Sequence, residues 1–320
     1  MTSPPASPGA AGLPHEAGAI KSSGTAGAPH VSGAPTVSGA VGVDPITAPL
    51  TYPGTPPWRP AVLVTDAAVL ALQPRDDAPL GEWLLQTDAA HTPPDPVSQD
   101  LVPQGAAPYN EGPDLQGFSL DRYLRNVGGS PAASLVPVLA VGSNASPAQL
   151  RRKLANAGLP TLVPITAVRV SGLAVGVSAH VSRPGYLPAT PVPDEGAVSD
   201  LWLVWLDVAA LAAVDATEPN YERVPLPTRY PVRLATGQPV TPCWVYLSRH
   251  GYLINEAGEP RRLTDQATLI SALLAGIPGL RALGGTSPQE WIERTPDPAA
   301  RDAIRKAFRA AGLVRSTAGL

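Results

Sequence analysis

Hydrophobic positions in this chain are scattered among prolines up to about residue 134 and fall into ordered runs after it. Leu135 to Val141 is an apolar run of strand length, broken only by Pro137. It stops at Gly142-Ser143-Asn144. Ser146, Pro147 and Gln149 then supply an N-cap, a first helical position and a capping box. Leu150 and Leu154 form an apolar stripe, and Gly158 closes the helix. The spacing thus predicts strand, tight loop and helix over 135–158. Strands are predicted over about 162–170, 173–181 and 200–207, the last carrying Leu201, Trp202, Leu203, Val204, Trp205 and Leu206. A short helix over 208–216 presents Leu211 and Val214. Strands over 222–234 and 240–248 turn at Thr236-Gly237-Gln238, and a hairpin follows around Asn255–Gly258. The remainder reads as helices. One spans 265–275, a second opens on a capping box at Ser287, Pro288 and Glu290, and a third is capped by Asp297 with Ile304 and Phe308 on one face.

The earlier part is less periodic. Val62-Leu63-Val64 and Val69–Leu72 flank Thr65-Asp66-Ala67, the pattern of a hairpin. Residues 92–117 read as a long loop, and Ser119 caps a short helix over 120–126 closed by Gly128. Residues 1–45 are two-thirds Ala, Gly, Pro or Ser and contain no aromatic residue. Such a segment cannot bury enough apolar surface to offset its ordering entropy and is expected to be disordered. The pattern as a whole predicts an α+β fold, a mixed, mostly antiparallel barrel-like sheet with flanking helices.

Composition narrows the function classes. The chain has 320 residues, 44% of them apolar, with 40 prolines and only 15% charged. That is enough for one substantial core beside irregular stretches. A net charge of −3 without a basic stripe argues against a nucleic-acid partner. No run of about 20 apolar residues would span a bilayer, and no basic segment followed by an apolar run opens the chain. The reading is a cytoplasmic protein without a membrane partner, its oligomeric state left open. Cys243 is the only cysteine and, beside Trp244 and Val245, reads as a core thiol. His180 and His250 are far apart and lack metal-ligand spacing, so they are not read as a metal site. Trp202 and Trp205, three apart in a strand, face opposite sides.

Two places carry candidate chemistry. At Gly142-Ser143-Asn144, glycine admits close backbone approach. The helix beginning at Pro147 directs its unpaired N–H groups toward the loop, which suits a carboxylate or developing oxyanion. An ordinary strand-to-helix connection would carry the same residues. The loop is not a P-loop, since no Gly-Lys-Ser/Thr follows, nor a nucleophile elbow. Glu218, in Asp215-Ala216-Thr217-Glu218-Pro219-Asn220-Tyr221-Glu222-Arg223, follows an apolar helix and precedes a strand. A carboxylate there can transfer protons from a cleft, or simply be a solvated loop glutamate.

Together these pieces resemble the γ-glutamylcyclotransferase-like superfamily. A strand ends in Gly-Ser-Asn, a helix carries Leu150 near its start, and an apolar strand and helix lead into Asp-x-x-Glu-x-x-Tyr-x-Arg. The family's glutamate lies about seventy to eighty residues beyond its Gly-Ser-Asn, as Glu218 does here. Pro188-Ala189-Thr190 and Gly196-Ala197-Val198 match the stretch before it, and the resemblance covers roughly 135–250. It implies that Val141, Gly142, Ser143 and Asn144 hold a γ-glutamyl group through backbone N–H contacts. Glu218 would serve as acid/base for release of 5-oxoproline, with no metal or organic cofactor. Val141 stands where the family has tyrosine. Tyr221 and, on a rim loop, Tyr186 would lie near the ligand; Tyr221 equally suits a packing anchor beside Pro219. Arg223 would pair with a substrate carboxylate or within the protein. The implied layout is a tail over 1–45, a Pro-rich extension over 46–130, the core over 131–250, and a hairpin with helices packed on it over 251–320. The alternative is a non-catalytic small-molecule-binding or interaction module on the same fold.

Overall fold

The computed structural model describes residues 44–86 and 117–320. Nearly all of the expected disordered tail over 1–45 and of the predicted loop over 92–117 lies outside the described residues; Asp44 and Pro45, at the end of that tail, are described. The first hairpin forms as predicted, from β1 (Ala61–Thr65) and β2 (Val69–Gln73), and a short β3 (Leu84–Gln86) adds to it. Helix α1 (Leu120–Asn126) begins where the Ser119 hydroxyl accepts from the Arg122 amide. Then come β4 (Val136–Ala140), α2 (Pro147–Asn156), β5 (Leu162–Val177), β6 (Ala189–Leu206) and α3 (Val208–Ala216). Strands β7 (Tyr221–Pro225), β8 (Val232–Leu234), β9 (Trp244–Ser248) and β10 (Tyr252–Leu253) follow. Helices α4 (Gln266–Gly276), α5 (Leu280–Gly284), α6 (Pro288–Arg294) and α7 (Pro298–Ala310) precede a final β11 (Val314–Arg315).

The main sheet runs β3-β2-β1-β5-β6-β4-β9-β7, with β8 also on β5. Among the described residues only β4 and β9 pair in parallel. The barrel-like expectation is therefore corrected: this is a large, mostly antiparallel sheet that stays open, since β3 and β7 end it without pairing to each other. The strands predicted over 162–170 and 173–181 are one strand. A register shift between Ser171 and Leu173 lets it bend without breaking, and Gly172 occupies the shift with φ +78 against the Tyr230 ring. Strand β6 begins at Ala189, well before the predicted 200. Its early half carries prolines and exposed polar residues that read as loop. The strand predicted over 222–234 is two, separated around Pro227.

Both faces of the central strands are covered, which is why Leu135–Val141 reads as a continuous apolar run. On one face Leu139, Leu203, Val245 and Leu63 pack with Trp83 and with Leu120 and Leu124 of α1. On the other, Val138, Val204 and Ile165 pack with Leu150 and Leu154 of α2 and Leu211 and Val214 of α3. Leu150 and Leu154 are fully buried, worth about 2 kcal/mol each relative to exposure, and they fix α2 on the sheet. A third cluster joins Val177, Ala179 and Leu187 to Ile270, Trp291, Ile304 and Phe308 of the C-terminal helices. Trp202 and Trp205 do face opposite sides, and each is half-buried against a different core.

Candidate functional site

The sheet brings the ends of β4, β6 and β9 together, and a cavity of about 270 Å³ opens there. That is close to the lower end of the roughly 300–1,000 Å³ typical of small-ligand sites. Val141, Gly142, Ser143 and Asn144 form one wall, Glu218 and Tyr221 another, and Tyr186 a third. All seven residues singled out in the sequence thus line one hollow.

Each wall has a local cause. After β4 the chain makes one 3-10 turn, Ser143–Ala145, with Ala145 and Ser146 amides bonded to the Gly142 and Ser143 carbonyls. The Gly142 and Asn144 amides have no hydrogen-bond partner among the described residues. Gly142 is needed for space, since a Cβ would collide with the Tyr52 hydroxyl and crowd Ala189. The predicted capping box does not form. Ser146 Oγ is buried without a partner among the described residues, and Gln149 Nε2 donates to Asp44 instead. The Arg152 Nε–H also donates to Asp44, at 3.0 Å, so the segment before β1 is pinned to α2.

Glu218 sits one turn past α3. Its amide donates to the Asp215 carbonyl and its carbonyl accepts from the Tyr221 amide. Asp215 is held by Arg223 through both carboxylate oxygens and by the Tyr246 hydroxyl at 2.7 Å. Burial works against its charge, but these hydrogen bonds outweigh it and hold the Asp215 carboxyl below the usual range. Arg223 is therefore engaged within the protein.

The Glu218 carboxylate is only 16% exposed. Its Oε1 accepts from Lys153 Nζ at 2.6 Å and from Asn144 Nδ2 at 3.2 Å, and Lys153 also donates to Asn144 Oδ1 at 2.7 Å. Oε2 has no hydrogen-bond partner among the described residues. Asn144 acts here through its side chain, not only through the loop backbone.

Three tyrosines surround this carboxylate. Tyr221 donates its hydroxyl to the Ala189 carbonyl at 2.8 Å, and Tyr52 accepts from the Ala189 amide at 2.8 Å. The two phenols thus clamp both sides of the residue that starts β6. Tyr52 also stacks on Tyr186, with ring centroids 4.2 Å apart. Burial first, and then neighbouring charge, raises all three phenols; Tyr186 is pushed up to about 12. They remain neutral donors at ordinary pH. The proton of Tyr52 has no acceptor among the described residues.

Sequence reasoning missed Lys153 and Tyr52. A signal for Lys153 existed: it is one of three lysines, and helical spacing puts it beside Leu150 and Leu154 on the buried face. Tyr52 had none, since it comes from the Pro-rich stretch outside the resemblance. The separation of His180 and His250 also misled, because their ring centroids are 4.6 Å apart. Among the described residues no group of three or more His, Cys, Asp or Glu could hold a metal ion. No helix there is long and apolar enough to cross a membrane.

No protein-family model matches the chain, and no curated protein matches it. Among solved structures, a gamma-glutamyl cyclotransferase aligns at 15% identity and a TM-score of 0.31, covering 54% of this chain and 99% of its own. A solution structure of At5g39720.1 from Arabidopsis thaliana aligns at 19% identity and a TM-score of 0.27, covering 36% of this chain and 70% of its own. Likenesses of this size carry no argument about chemistry, which rests on the side chains above.

Proposed function

We propose that the chain is a γ-glutamylcyclotransferase-like enzyme that releases 5-oxoproline from a γ-glutamyl amide. One observation carries the reading: Glu218 meets Asn144 of the glycine-serine-asparagine loop at 3.2 Å, on the wall of one small cavity. The substrate's α-ammonium would approach the free Oε2 of Glu218. As Glu218 takes up a proton, the α-nitrogen attacks the γ-carbonyl carbon and a tetrahedral oxyanion forms. The Gly142 and Asn144 amides and the Tyr52 hydroxyl are donors suited to that oxyanion. The bond from carbon to the leaving nitrogen then breaks, and protons taken from the ammonium pass to that nitrogen. The nucleophile is already part of the substrate, so holding it folded supplies much of the acceleration. In this reading Tyr52 provides the hydroxyl that Val141 lacks.

The test is 5-oxoproline release from a panel of γ-glutamyl dipeptides and amines, with wild type beside Glu218→Gln. Equal turnover by the two would remove Glu218 from the mechanism. A second reading, ligand binding without turnover, draws on the Lys153 contact, which already engages one oxygen of the carboxylate. Saturable binding with no 5-oxoproline from any of the panel would favour it.

A further inference from the structure

Tyr186 lines the cavity from the loop between β5 and β6, and the backbone on either side of it is gripped by the C-terminal helices. The Gly185 carbonyl, just before it, accepts from the indole N–H of Trp291 in α6 at 2.8 Å. Leu187, just after it, is held through both backbone groups by Gln266, the first residue of α4. The Leu187 amide donates to Gln266 Oε1 at 2.8 Å, and its carbonyl accepts from Gln266 Nε2 at 3.1 Å. Gln266 and Trp291 are both fully buried. The Ser182 amide closes the loop on the Tyr186 carbonyl at 2.9 Å. Gly185, at φ +109, lies flush against α6, where a Cβ would meet Thr295 Oγ1 and Ile292.

A buried amide side chain is costly unless its groups are paired, and methionine would fill the same space without that demand. Gln266 directs both of its ends at one residue of this loop. Trp291 directs its only polar side-chain atom there, while Gly284 of α5 leaves room for its ring. The tyrosine between the two grips stacks on Tyr52, with 15° between the ring planes, and Tyr52 in turn bonds Ala189 and abuts Gly142. We infer that Gln266 and Trp291 are positioning residues for the cavity: they fix Tyr186 and, through its stacking, Tyr52. Among the described residues α4 to α7 put no side chain into this cavity wall, so the C-terminal helices shape the site from behind. The inference rests on the reading above and deepens it, since Tyr52 is one of the donors assigned to the oxyanion. Misplacing such a group by about 1 Å costs up to about 100-fold in rate.

The experiment uses Gln266→Met and Trp291→Phe in the full chain, each of which removes a grip and keeps most of the volume. Each is expected to lower kcat/KM for 5-oxoproline release by at least about tenfold in protein that circular dichroism shows to be folded. In a Tyr186→Ala background neither should lower it further by more than about twofold, because the residue they act through is gone. Ile304→Val, a packing change in the same apolar cluster, should stay within about twofold of wild type. A second readout needs no turnover. In protein labelled with 3-fluorotyrosine, the Tyr186 fluorine line is identified among those of the eight tyrosines by its absence from Tyr186→Phe. It should shift or broaden in both variants, while the line of Tyr123 on α1 stays in place. Should Gln266→Met fail to fold, Trp291→Phe carries both readouts from a separate helix. An unmoved Tyr186 line overturns the inference, as does a kinetic loss that persists without Tyr186 or that Ile304→Val reproduces. A moved line in a protein whose wild type releases no 5-oxoproline leaves the positioning standing and sinks the reaction instead.

Discussion

The Lys153 ammonium lies 2.6 Å from Oε1 of Glu218 and joins α2 to the turn after α3. The lysine side chain is 6% exposed and the glutamate 16%. A lone charge in so dry a place costs several kcal/mol, so each side chain depends on the other. Lys153→Met is expected to lower stability by about 3–5 kcal/mol in urea unfolding. Adding Glu218→Gln should recover part of that loss, because the two residues share one interaction. Purely additive effects would mean the pair is not coupled.

Glu218→Gln alone keeps an oxygen toward Lys153 and Asn144. It should therefore perturb the fold less than Lys153→Met, while 5-oxoproline release falls by about 10²–10⁴-fold. A thermal melt beside the activity assay separates the two effects.

Gly142 and Tyr52 make a steric pair. Gly142→Ala places a methyl group against the Tyr52 hydroxyl and is expected to destabilise the fold by about 1–3 kcal/mol, as overpacking does. Tyr52→Phe removes the acceptor of the buried Ala189 amide and should cost about 1–3 kcal/mol. The double variant should be less destabilised than the sum of the two, since the second change removes the atom that the first collides with. Urea midpoints of all four proteins decide this; strict additivity would refute the contact.

His180 gives a pH signature. Burial first, then His250 and Arg305, lowers its pKa from the usual 6.5 to about 3. As pH falls below 6.5 the unfolded chain binds a proton that the folded chain refuses until about pH 3. Stability from this group is thus complete above pH 6.5 and declines below it, by up to about 1.4 kcal/mol per pH unit. Between pH 7 and pH 5, wild type should lose about 2 kcal/mol more than His180→Gln. Parallel losses would show that the ring is protonated in the fold.

Where one residue type did one job, the sequence was readable. Ser119 and Asp297 each cap the helix they precede, as read. The strand, loop and helix around Gly142 lie where the apolar run and Leu150 put them. Readings failed where a distant group competed. Gln149 does not complete its box because Asp44 draws it away. The outer half of β6 was hidden by Pro191, Pro193 and Asp194, which the strand tolerates because only β5 pairs with it there, leaving its other side an edge. The carboxylate and the loop were both singled out in the sequence; the lysine between them left only a weak signal and the tyrosine opposite none, because long-range packing assembles that part of the site.

The length of β5 and β6 sets a limit on how this protein can be divided. Past the cavity at Glu218, the end of β5 and the chain leading to β6 carry Val177, Ala179 and Leu187 into the helical cluster, each at most 1% exposed. A fragment cut after residue 250 would leave those side chains wet. A minimal folded fragment should accordingly run through Phe308, and shorter pieces are expected in inclusion bodies.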